Sequence, residues 1–151
     1  MKKIISFVFF LSLFGSLHSA PSKPNIIYIV SDDLGYGDLG SYGQKQVKTP
    51  RLDRMAKEGL RFTDHYAGHT VCRPARLVFL TGKHTGHTAI AGNNMHVLPK
   101  GTKTVTSLLK VAGYVTGGVG KWALGDVGTT GHPNNQGFDF FYGYLDQGAA
   151  H

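Results

Sequence analysis

Apolar residues crowd the start of the chain without any period. Ile4 to Leu17 follow Lys2 and Lys3 and give way to Ser19-Ala20 before Pro21. A basic start, a short apolar stretch and a small-residue exit read as a signal peptide over residues 1–20, with residues 21–24 as a linker. The stretch is too short and too soon interrupted for a membrane span, and nothing later is long and apolar enough to cross a bilayer. The mature product is therefore expected to be exported, periplasmic or secreted, with no membrane span after signal removal.

From residue 25 the pattern becomes that of alternating strands and helices. Asn25-Ile26-Ile27-Tyr28-Ile29-Val30 is a β-branched and aromatic run of the kind found in strands buried on both faces, which belong to parallel sheets. It ends in Ser31 to Asp38, a loop of carboxylates and glycines at the carboxyl end of the expected strand, where open α/β sheets bind ligands. Thr49 as cap, Pro50 at the first helical position and Leu52, Met55, Ala56 and Leu60 at helical spacing predict a helix closed by Gly59. A short strand over 60–66 is expected next. From Pro74, the residues Ala75, Leu77, Val78, Phe79 and Leu80 predict a buried helix ended by Gly82, with Cys72 at its amino-terminal mouth, where an anion or thiolate is stabilised.

Thr104 to Ala112 reads as a helix stopped by Gly113, and Tyr114 to Gly120 as a second core strand ending at Lys121-Trp122. The remainder, rich in glycine and asparagine before the aromatic cluster Phe138, Phe140, Phe141 and Tyr142, reads as mostly loop. The order strand, helix, strand, helix, strand predicts an α/β fold with a mostly parallel sheet flanked by helices.

Composition narrows the partners. The 151 residues, 41% hydrophobic, suffice for one compact core or a portion of a larger one. Without Lys2 and Lys3 the chain keeps 14 Lys plus Arg against 9 Asp plus Glu, a formal balance of +5. These cations are scattered and no basic-aromatic platform accompanies them, so a nucleic-acid partner is not expected and an anionic small substrate fits at least as well. The single cysteine cannot close an internal disulfide. Cys72 therefore pairs with another chain, packs as an inert thiol, or does chemistry.

Gly35-Tyr36-Gly37-Asp38-Leu39-Gly40 formally matches a dinucleotide-binding fingerprint. A pyrophosphate would have to approach backbone amides beside Asp32, Asp33 and Asp38, and residues 41–48 offer no helical pattern to supply a dipole. Adjacent Asp32 and Asp33 suit instead a hard cation such as Ca²⁺, although an isolated Asp-Asp pair serves more often to cap turns. His65 and His69, and His84 and His87, have zinc-like spacing with no accompanying glutamate or cysteine pair, which favours structural or substrate-facing histidines.

The run Cys72-Arg73-Pro74-Ala75-Arg76, followed by Leu77-Val78-Phe79-Leu80-Thr81-Gly82, resembles the sulfatase family in residue type and spacing. Pro24 to Asp38, Thr49-Pro50 through Gly59, Gly86-His87-Thr88, Leu108 to Gly113 and Gln136 to Asp139 resemble the family's amino-terminal half as well. The resemblance implies an alkaline-phosphatase-like α/β fold in which residues 25–151 form the amino-terminal, truncated part of a catalytic domain. It implies that a formylglycine-generating maturation enzyme oxidises Cys72 to formylglycine, and that Asp32, Asp33 and the modified Cys72 hold calcium, with Mg²⁺ as the alternative ion. Arg76 would orient the aldehyde hydrate and Lys121 would bind sulfate, both serving catalysis on a sulfate-ester small molecule or a sulfated glycan.

Two departures from the family pattern stand out. Ala123 occupies the place of a histidine in Lys121-Trp122-Ala123-Leu124-Gly125, and the resemblance implies His151 as the substitute imidazole and a substrate-binding residue. The remaining ligands of the family lie in a carboxy-terminal half not present here, so the 151-residue chain alone is expected to be inactive. A formylglycine-dependent phosphodiesterase or phosphonate hydrolase is the alternative enzyme, and a non-catalytic remnant the alternative outside catalysis.

Overall fold

The computed structural model describes residues 23–88, 92–94 and 96–150. The signal-peptide segment 1–20 and His151 lie outside the described residues. Two compact units divide at Ser31.

In the first unit, residues 23–31 form no strand, contrary to the expectation for 25–30. Ile27 is 85% exposed and Ile29 78%. A doubly apolar run becomes a buried strand only when neighbouring strands pair with its edges and other layers cover its faces, conditions that local composition does not supply.

The second unit, from Asp32 onwards, begins with 3₁₀ turns at Tyr36–Asp38 and Gly40–Tyr42. Helix α1 spans Pro50–Glu58, with Thr49 as cap and proline in its first turn as predicted. Asp53 accepts from the amide of Ser41 at 2.6 Å and from Thr49 Oγ1 at 3.0 Å, tying the turn to the helix. No strand forms over 60–66, where Leu60 is 79% exposed. The β-branched and aromatic character there lacks a partner edge, and Tyr42 Oη donates instead to the Phe62 carbonyl at 2.7 Å.

Helix α2 spans Cys72–Thr81, capped at its end by Gly82 in the left-handed conformation. Pro74 sits in the first turn, where its missing N–H removes no helical bond. The first turn closes through Ala75 N–H to the Val71 carbonyl at 3.1 Å. Arg73, Pro74, Leu77 and Leu80 form its buried face.

Helix α3 spans Val105–Val111 behind a reciprocal cap in which Thr104 and Ser107 exchange side-chain and backbone bonds. Among the described residues the strands are β1, Gly117–Lys121, and β2, Phe140–Tyr144, paired in parallel with Val119 opposite Tyr142 and Lys121 opposite Tyr144. Strand β1 begins later than expected, and β2 arises inside the segment read as loop. Parallel pairing requires a long crossover, and residues 122–139 provide it. The ladder runs on past β1, with Trp122 and Ala123 N–H donating to the Tyr144 and Leu145 carbonyls at 2.9 and 3.0 Å.

Leu77, Leu80, Leu98, Trp122 and Leu124 make the core, with Phe138, Phe141 and Leu145 packed against them. Trp122, Phe138 and Phe141 meet edge to face with centroids 5.7 to 6.0 Å apart, the arrangement favoured by ring quadrupoles. A Cβ on Gly118 would lie 2.7 Å from the Phe138 ring, so the absent side chain is what admits that aromatic onto β1. This core clamps α2 against the carboxyl end of β1 and thereby brings Cys72 and Lys121 together.

Candidate active site

Four of the residues singled out by sequence meet in one place. Cys72 is the first residue of α2, Arg76 lies one turn further on, Lys121 ends β1 and Asp32 opens the second unit. Cys72 Sγ is 3.7 Å from Asp32 Oδ1, and Lys121 Nζ is 3.5 Å from Cys72 Sγ. Asp32 Oδ2 receives Lys121 Nζ at 2.7 Å and Arg76 Nη2 at 3.1 Å. Arg76 also donates through Nη1 to the Lys121 carbonyl.

The charges are partly withdrawn from water. The side chain of Lys121 is 9% exposed, that of Arg76 17% and that of Asp32 38%. The ammonium of Lys121, hydrogen-bonded to Asp32, holds that carboxyl below its usual 3.8, against an opposing push from desolvation and with help from Arg76. Asp32 is thus the anionic partner of two cations. Among the described residues Arg76 Nε is buried without an acceptor. One donor of the site is therefore unused, and a buried N–H of that kind is costly unless something accepts it.

Asp33 is exposed and has φ 59°, one of two non-glycine residues in the left-handed region among the described residues. Aspartate tolerates that conformation better than most residues, and such backbones concentrate at functional sites. Asp38 does not join the group, because its Oδ2 accepts from the Gly35 amide at 2.6 Å and is used in its own turn. Asp32 and Asp33 offer the hard oxygens that Ca²⁺ prefers, and so fit the ion in kind. Among the described residues no three His, Cys, Asp or Glu side chains gather tightly enough to complete a site.

Of the four histidines with zinc-like spacing, two serve local turns. His69 Nδ1 accepts from Val71 N–H, and His84 Nδ1 from Gly86 N–H, both at 3.1 Å. Ala123 is 1% exposed with φ 67°, so the histidine expected at that place has no counterpart there.

Sequence reasoning missed Arg73. It is 4% exposed and donates through Nε to the Ala123 carbonyl at 2.6 Å. Its Nη1 donates to the carbonyls of Asn93, at 2.6 Å, and Asn94. The apolar spacing of α2 already placed position 73 beside Pro74 and Leu77, and that spacing was the available signal. A cleft of about 380 Å³ lies along β2 beside His132 and includes none of the four residues. Chemistry and not volume marks the Cys72 site.

The chain resembles known proteins in sequence and structure. The Sulfatase family model matches residues 24–149. Human arylsulfatase D is 41% identical over 136 residues, covering 80% of this chain and 23% of that protein. Mouse steryl-sulfatase is 42% identical over 139 residues, covering 82% of the chain and 22% of the relative. The crystal structure of Ps i-CgsB superposes with a TM-score of 0.73 at 41% identity, over 82% of this chain and 28% of its own. BT4656, solved with its substrate D-glucosamine-2-N,6-O-disulfate, superposes at 0.68 with 35% identity, over 78% and 22%. The chain thus spans about a quarter of the length of the curated relatives it matches. Its architecture is the α/β, alkaline-phosphatase-like fold of those sulfatase structures. With the Cys-x-Pro-x-Arg run opening α2 and the family match extending from residue 24 to residue 149, the chain belongs to the sulfatase family.

Proposed function

We propose that this chain is the amino-terminal part of an exported sulfatase catalytic domain, in which Cys72 is the precursor of a formylglycine and the whole enzyme hydrolyses sulfate esters. Residues 1–20 direct export and are removed, residues 21–24 link, and residues 25–151 carry the first part of the catalytic machinery. The observation that carries this reading is the cluster at Cys72, whose Sγ lies 3.7 Å from Asp32 Oδ1 and 3.5 Å from Lys121 Nζ.

A hydrated formylglycine supplies one hydroxyl to attack sulfur and a second whose deprotonation expels sulfate, which an ordinary serine cannot do. The chain's own residues prepare the site for an anion. Lys121 Nζ stands close enough to Sγ to meet a sulfate oxygen held there, and its low exposure strengthens the attraction. Arg76, bonded to both Asp32 and the Lys121 carbonyl, orients the group at position 72 and keeps an unused Nε–H. Asp32 and Asp33 would hold calcium, which polarises sulfate oxygens when bound. The remaining oxygens of its shell would come from the carboxy-terminal part of the domain. His151 serves as a substrate-binding imidazole in place of Ala123.

The substrate class is a sulfate ester, sulfated glycans included. Ps i-CgsB has been solved with a neocarrahexaose and BT4656 with a glucosamine disulfate, which supports the glycan reading. Co-expression with a formylglycine-generating enzyme should lower the mass of the Cys72 peptide and create an aldehyde that captures a hydrazide. An unchanged thiol under efficient maturation would refute the assignment. The 151-residue chain is expected to show no turnover of an aryl sulfate, and a chain extended to the relatives' length should show turnover that Cys72→Ala abolishes.

A further inference from the structure

Arginines 73 and 76 are three apart on α2, so their side chains leave the same side of the helix. Both end on backbone carbonyls of one short segment. Arg76 Nη1 donates to the Lys121 carbonyl and Arg73 Nε to the Ala123 carbonyl at 2.6 Å. Arg73 spends its other bonds on the carbonyls of Asn93 and Asn94, and its own amide donates to Asn93 Oδ1 at 3.1 Å. Among the described residues no carboxylate pairs with it, although it is 4% exposed. A buried guanidinium held by neutral carbonyls gains no ion pair, and what its rigid planar fork can supply is geometry.

What it fixes is an unfavourable turn. Ala123 has φ 67°, a left-handed conformation that alanine avoids. Both sides of the residue are held, its N–H by the Leu145 carbonyl at 3.0 Å and its carbonyl by Arg73. Such a conformation persists only where its surroundings overdetermine it. The turn follows directly on Lys121 and Trp122, and so sets where β1 ends and where the Lys121 ammonium emerges.

We propose that Arg73 is a positioning residue: by clamping the left-handed turn at Ala123 it holds Lys121 against Cys72. The clamp is a feature of this chain's own geometry and is read out on the unmatured chain, in which Cys72 keeps its thiol. The functional consequence, a correctly placed anion-binding cation, rests on the sulfatase reading above.

The chain has one cysteine, so o-phthalaldehyde, which condenses a contacting amine and thiol to a fluorescent isoindole, reports on Cys72 alone. Peptide mapping identifies the lysine it captures. The native chain should give the Cys72–Lys121 adduct. Arg73→Met should lose about tenfold or more of it, since a misplacement of about 1 Å is enough to forfeit a proximity effect of that size. Arg73→Lys, with charge but no fork, should fall between. Emission from Trp122, the only tryptophan, should shift to the red in the same variants. Ala123→Gly in the Arg73→Met background should recover most of the adduct, because glycine adopts the turn without a clamp.

Full adduct yield and unshifted emission in Arg73→Met would overturn the proposal. So would a loss that Ala123→Gly leaves unrepaired while the far-ultraviolet circular dichroism stays native, which would reduce Arg73 to a packing element of the helix. If Arg73→Met does not fold, Arg73→Lys with and without Ala123→Gly decides between the same two outcomes. Failure of formylglycine formation with the adduct intact would count against the sulfatase reading and leave the clamp standing.

Discussion

At the scale of single residues, charge is placed where a neighbouring group requires it. Asp139 illustrates this away from the site. Lys110 Nζ reaches its Oδ1 at 2.6 Å, and Thr116 bonds its Oδ2 through N–H and hydroxyl at 2.9 and 3.1 Å. The Lys110 hydrogen bond first, and then the Thr116 amide, pull its carboxyl from 3.8 to about 2. A carboxyl depressed in the folded state stabilises above its unfolded value, and that contribution fades as pH falls from 3.8 towards about 2. Asp139→Asn should therefore lower the urea midpoint at neutral pH and cost less near pH 2, where the carboxyl is about half protonated. Equal deficits at both pH values would show that the charge is not the cause. At the Cys72 site the same principle keeps Asp32 anionic beside Lys121, and an anionic Asp32 is a prerequisite for the cation site proposed there.

At the scale of elements, close backbone contacts decide where helices and strands sit. Gly137 has φ 101°, and a Cβ there would lie 2.4 Å from the Ser107 amide nitrogen in α3. Beside it the Gln136 carbonyl accepts from Thr104 Oγ1 at 2.8 Å and Thr106 Oγ1 at 2.7 Å. This seam joins the start of α3 to the approach to β2. Gly137→Ala should destabilise the second unit by about 1–3 kcal/mol from the backbone conformation alone, with the steric clash adding to it. Denaturant unfolding followed by Trp122 emission would measure it, and a change too small to resolve would mean that the seam yields.

At the scale of the whole molecule, the parallel pair is left open. Val119 is 78% exposed, Tyr142 74% and Phe140 60% on β1 and β2. All-parallel sheets normally have both faces covered, and contiguous exposed apolar surface marks a place where other chain belongs. Relatives carry about four times this length, since the chain covers 22–23% of two of them. The 151-residue chain should bind a hydrophobic dye more strongly per molecule than a chain extended to that length. Equal dye binding by the two would show that the added chain leaves these strands uncovered.

Local chemistry was sufficient for the parts of the protein whose determinants lie within a few residues of each other. Thr49-Pro50 begins α1, Gly82 ends α2, Thr104 caps α3, and the Cys72 to Arg76 run identifies the family without reference to distant contacts. The α/β class followed from the same patterns. Strands were legible only in part, because a strand exists through its partner. The run at 25–30 has ideal composition and forms none, whereas the glycine-rich β1 forms by pairing with a β2 that composition concealed. Tertiary structure alone brought Asp32 and Lys121 to Cys72, from 40 and 49 residues away in the chain. It also turned Arg73 from an unremarked position in a motif into a buried clamp. The physical reason is range: caps and turns are fixed by bonds to near neighbours, while pairing, burial and charge placement depend on what the rest of the chain brings alongside.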